Sequence, residues 1–84
     1  MKLAIPTIHL NGTAREALEA QLEDANQALA AALEALQAAA PNGRDYYPQG
    51  PEAIALAAEQ HAGRVRAVSA VRDEIQQIFE ALPD

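Results

Sequence analysis

Eighty-four residues allow one small domain (1–84), and although half of them (50%) are hydrophobic, 21 of those 42 are alanine and only Tyr46, Tyr47 and Phe79 are aromatic. There is no cysteine, so disulfides and thiolate metal sites are excluded; His9 and His61 alone do not make a zinc site, and no metal or cofactor is expected. Twelve acids against six bases, a net charge of −6, provide no basic face for duplex nucleic acid, and no run approaches the roughly 20 apolar residues of a bilayer span.

Residues 1–12 read as an extended arm. Leu3, Ile5 and Ile8 are β-prone, Pro6 forbids regular helix, and Asn11-Gly12 is a turn signal. One lysine, an early proline and a histidine make this start a poor signal peptide. A helix is expected over 13–40, with Thr13 as N-cap, Glu16 in the capping-box position and Leu10 just upstream. No glycine or proline interrupts it from Ala14 to Ala40, and Leu18, Leu22, Ala25, Leu29, Ala32 and Leu36 recur in steps of four and three. That spacing is a heptad seam, one apolar stripe along a helix that is otherwise strongly acidic.

The next stretch, 41–51 (PNGRDYYPQGP), holds three prolines and two glycines and ends the helix. A second helix is expected over 52–82, with Pro51 at its start and Glu52 near its positive end. Its seam reads Ile54, Ala58, His61, Val65, Val68, Ile75, Phe79 and Leu82, with Arg72 on the line and Val71 beside it to share the contact. The fold class is therefore all-α, an antiparallel two-helix hairpin about 40–45 Å long with a short extended N-terminal arm. Alanine-rich seams make a thin core, and Leu33, Leu56 and Ile78 lie off them. Small chains without disulfides or metals need other reinforcement, so assembly into an oligomeric helical bundle is expected, the chain being its own partner.

Four groups exceed what helix formation needs. A glycine turn entering a helix start, His9 through Asn11, Gly12 and Thr13, offers backbone N–H groups to phosphate or carboxylate; it is equally an ordinary helix cap. The connection carries Arg44, Asp45, Tyr46 and Tyr47, where tyrosines can stack on a planar ring and arginine can grip phosphate. Alternatively, the tyrosines cover the hairpin end and Arg44 pairs with Asp45. His61 holds a seam position better suited to an aliphatic residue, with Gly63 in the helix and Arg64 three residues on; the plainer account is a core histidine bonded to Asn26 or Gln27. Last, Arg64, Arg66 and Arg72 cluster on the second helix, as phosphate ligands or, Arg66 above all, as intersubunit ion-pair partners for Glu23, Asp24 and Glu34. No nucleophile, base or metal cluster points to catalysis, so no enzyme is expected.

The motifs HLNGT, PNGRDYYPQG and Glu59-x-His61-x-x-Arg64, taken together over almost the whole chain, resemble a family of small uncharacterised bacteriophage and prophage proteins. The architecture is also similar to that of phage anti-defence sponges (anti-CBASS and anti-Thoeris proteins), without their sequence motifs. That resemblance implies a non-catalytic oligomer in the cytoplasm of the infected bacterial host. It would sequester a cyclic-oligonucleotide or ADP-ribose-type immune signal at subunit interfaces. On that reading Tyr46 and Tyr47 stack on a base, Arg44 and Arg64 hold phosphates, His9 and His61 add polar contacts, and Asn11–Thr13 supply backbone donors. The alternative is a phage structural or assembly component, or an inhibitor docking on a host protein.

Overall fold

Alanine and leucine at helical spacing, uninterrupted by glycine or proline, give a first helix α1 over Arg15–Ala38 and a second, α2, over Pro51–Ala81. The computed structural model describes residues 2–84, and among them all regular structure is helical, with no strand. Three cross-links fix the direction of the pair. Arg15 Nη1 donates to the carbonyl oxygens of Pro83 (2.6 Å) and Leu82 (3.4 Å), and Asn26 Nδ2 donates to Gln76 Oε1 (2.9 Å). Farther along, His61 Nε2 lies 2.7 Å from the Leu36 carbonyl oxygen. As numbers rise along α1 they fall along α2, so the helices form an antiparallel hairpin, in a molecule measuring 61 × 24 × 17 Å.

Helix boundaries follow from local chemistry. The Thr13 cap does not form. Ala14 is the N-cap, with extended backbone (ψ 148°) and no side-chain cap bond, which leaves Thr13 one residue too early. The start of α1 is set instead by Arg15, which clasps the C-terminal carbonyls and also lies 3.5 Å from Asp84 and 3.0 Å from Glu19. At the other end, Pro41 disfavours α conformation at Ala40, and the last turn tightens as Ala39 N–H reaches both the Ala35 and Leu36 carbonyls. Pro83 acts likewise on Leu82, whose ψ of 130° stops α2.

The connection is built rather than slack. Two consecutive 3₁₀ turns, Gly43–Asp45 and Tyr47–Gln49, carry backbone hydrogen bonds from Tyr46 N–H to Gly43 and from Gly50 N–H to Tyr47 (both 3.1 Å). Gly50 then enters α2 with φ 102° and ψ 163°, a conformation that a side chain rarely tolerates.

The seam of α1 lies where the heptads put it, with Leu18, Leu22, Ala25, Leu29, Ala32 and Leu36 all half-buried. On α2 the register differs in detail. Ala57 is buried and Ala58 exposed, because a small residue facing α1 lets the helices close on that side. Val71 is 47% exposed and adds little to the seam. Of the apolar residues off the seams, Leu33 and Ile78 are half-buried, whereas Leu56 is 55% exposed. Among the described residues only Ala57 and Leu82 are buried apolar residues, as befits one interface lined by small side chains. No described helix is long and apolar enough to cross a membrane.

Gly50→Ala is expected to cost about 1–3 kcal/mol through backbone strain. Gly43→Ala, at a position with open space around it and no positive φ, should cost far less. Urea denaturation of the two variants side by side checks this; equal losses would remove the conformational role of Gly50.

Candidate functional site

The two turn motifs occupy opposite ends of the hairpin. His9–Thr13 precedes Arg15 at the open end, and 39–50 closes the other, about 36 Å away along α1. Within one chain they do not meet.

At the closed end the back-to-back turns hold four polar and aromatic side chains in one loop. Asp45 Oδ2 accepts from Asn42 Nδ2 at 3.0 Å and is not paired with Arg44. Among the described residues no carboxylate lies within ion-pair distance of Arg44, and the residue is exposed. The tyrosines divide: Tyr46 is half-buried against the end of the hairpin, while Tyr47 stands 77% exposed. A free guanidinium and a free phenol ring on a rigid turn can meet a phosphate and a planar ring together.

At the open end, Gly12 N–H donates to the His9 carbonyl at 3.1 Å, closing a turn in which the imidazole folds over Gly12. A Cβ at position 12 would sit 2.7 Å from His9 Nε2, so the ring packs there because nothing else does. Asn11, Gly12 and Thr13 are exposed, and no side chain caps the first N–H groups of α1.

His61 turns into the seam, half-buried, and its partner is neither Asn26 nor Gln27. A carbonyl oxygen can only accept, so Nε2 carries the proton and donates to Leu36. Leu36 belongs to the last turn of α1; its carbonyl already accepts from Ala39 N–H at 3.1 Å, and the histidine adds a second donor from the other helix. This accounts for a polar residue at an aliphatic position. Arg64, by contrast, is exposed. His61 lies about 15 Å along α2 from the loop, with Arg64 one turn farther on.

Within one chain the α2 arginines make no ion pair with the α1 acids: among the described residues both ion pairs belong to Arg15. Arg72 instead lines a lateral groove of about 370 Å³ with Glu23, Asn26, Gln27, Gln76 and Phe79. There Asn26, Gln76 and Glu80 form a hydrogen-bonded ladder, with Gln76 Nε2 donating to Glu80 Oε1 at 3.0 Å. Asn26 Oδ1 is buried with no donor. Reading the sequence passed over this groove and the Arg15 clasp. A signal existed for the second: a cation in the first turn opposes the helix dipole and needs compensation elsewhere. No metal-holding group of histidine and acidic side chains occurs among the described residues.

Compared with protein-family models, with curated proteins and with solved structures, the chain matches none.

His61→Ala is expected to lower stability by about 1–3 kcal/mol, because it removes the hydrogen bond that ties α2 to the Leu36 carbonyl and opens a gap in the seam. His61→Gln, whose amide can donate, should recover part of that loss. If chemical denaturation places the Gln variant no higher than the Ala variant, the hydrogen-bonding role falls.

Proposed function

We propose that this protein is a non-catalytic, oligomeric nucleotide-capturing protein of phage origin, acting in the cytoplasm of the infected host. The observation that carries the reading is the closed-end loop. Arg44 has no carboxylate partner and Tyr47 is largely exposed, both on a segment stiffened by successive backbone-bonded turns. Exposed cationic and aromatic groups on a preorganised loop lose little entropy on binding, which suits a phosphorylated planar ligand. Half-buried Tyr46 stands next to Tyr47 in the loop, and Asp45, held by Asn42, can accept from a ribose hydroxyl. The backbone donors of Asn11–Thr13 and the His9 ring complete the site from another copy, since they lie at the far end of their own chain. Arg64 extends the cationic surface toward α2, and His61 contributes through the position of the helices rather than by direct contact. The phage origin rests on the HLNGT and NGRDYYPQG motifs.

A second reading, docking on a host protein or a role in phage assembly, draws on exposed apolar groups. Leu10 is 99% exposed beside the open-end turn. A stoichiometric protein partner recovered by pull-down, and lost on Leu10→Ser, would favour it.

Calorimetry against cyclic di- and trinucleotides and ADP-ribose derivatives tests the first reading. One member of the panel is expected to bind. Arg44→Ala and Tyr47→Ala should each weaken it by at least about tenfold, equivalent to 1.4 kcal/mol, with unchanged helical content. No heat from any member of the panel contradicts the reading.

A further inference from the structure

Helix α2 carries two stripes, of which α1 covers one more fully. The second stripe runs Leu56, Gln60, Gly63, Ala67, Ala70 and Glu74, again in steps of four and three, with Gly63 and Glu74 half-buried and the other four exposed, and it is flanked by exposed Val71 and half-buried Ile78. Leu56 and Val71 are about half exposed along it. Gly63 is the telling member. A glycine inside a helix costs about 1 kcal/mol relative to alanine. A Cβ there would meet only the end of the Arg66 side chain, at 3.8 Å, so nothing within the chain requires its absence.

The chain as a whole, elongated at 61 × 24 × 17 Å, has surface to spare for a partner. A compact folded protein of this mass (8.9 kDa) exposes roughly 4,800 Å². This chain exposes 6181 Å². The excess, about 1,400 Å², is more than the roughly 800 Å² that each partner contributes to a stable interface. The stripe is also complementary to itself. Turned end for end about Ala67, it sets Leu56 level with Ile78, the hole at Gly63 level with Val71, and the Gln60 amide level with the Glu74 carboxylate. An isologous two-fold needs that kind of pattern, and small residues at its centre let two helices approach to about 8 Å.

We propose that this protein is a dimer built on an antiparallel α2–α2 contact with its two-fold axis at Ala67. The register has a consequence for the site. Gly50 of one copy lies level with Asp84 of the other, so each closed-end loop stands beside the partner's open end, where the His9–Thr13 turn enters α1. The two motifs that one chain holds apart are thereby brought to the same level twice per dimer. That consequence rests on the nucleotide reading above; the dimer does not.

Because the chain has no cysteine, single-cysteine variants report the register directly. Under mild oxidation Ala67→Cys is expected to give a covalent dimer on the order of tenfold faster than Ala62→Cys, which lies exposed on another face of α2. Gly63→Leu, a better helix former that fills the hole, should keep helical content and yield a monomer by light scattering. A monomeric wild type at about 100 µM overturns the proposal. So does a dimer that cross-links equally well at both cysteine positions, or one that survives Gly63→Leu. Cross-linking with silent nucleotide calorimetry removes the ligand reading and leaves the dimer standing.

Discussion

One seam holds the hairpin together, the contact between the leucines and alanines of α1 and the β-branched and small residues of α2. Two helices have only this interface, and alanine supplies half of the apolar residues, so the seam is close but shallow. Burial worth roughly 25 cal/mol per Å² cannot accumulate where almost every seam residue stays half-exposed. The rest of the structure reads as compensation for that limit. Arg15 clasps the open end, Asn26 and Gln76 join the middle, and His61 ties α2 to α1 near the closed end. Each contact satisfies a helix-terminal or side-chain polar group that a deeper core would satisfy otherwise.

The same limit shapes what the molecule can present to others. Large and aromatic side chains are too few to fill a core, and both tyrosines are placed in the connection. There the backbone is fixed by 3₁₀ turns and by a glycine in a conformation closed to other residues. A rigid loop bearing an unpaired arginine and an open tyrosine is chemically suited to a phosphorylated ring. The other polar turn sits at the opposite end, so a site using both requires a second chain running the other way.

The fold was legible because its signals are periodic and long. Heptad spacing from Leu18 to Leu36 and again from Ile54 to Leu82, with a proline-rich and glycine-rich break between, leaves little besides an antiparallel pair. What could not be read depends on single contacts across the hairpin. Thr13 has the right chemistry for a cap, yet the Arg15 clasp begins the helix one residue later, beyond its reach. Choosing Ala57 over Ala58 needs the rotation of α2 against α1, which a seam of equal-sized alanines leaves undetermined. His61 was recognisable as anomalous, but its partner is a backbone carbonyl on the other helix, and side-chain pairing rules are silent on carbonyls. The arginines of α2 face solvent or the lateral groove rather than the acids of α1, because charges on long side chains gain little from exposed pairing. At the candidate site, the grouping of Arg44, Asp45, Tyr46 and Tyr47 was visible in the chain order. The contrast between a half-buried Tyr46 and an open Tyr47 was not.

The α2–α2 dimer proposed above would add a second interface to this shallow seam. Thermal unfolding followed by circular dichroism across a hundredfold range of protein concentration tests it most directly. For a dimer whose folding and association are coupled, each tenfold rise in concentration adds about 1.4 kcal/mol of apparent stability, and the midpoint should climb steadily with concentration. A midpoint that stays fixed over the whole range would show a hairpin stable by itself and contradict the account.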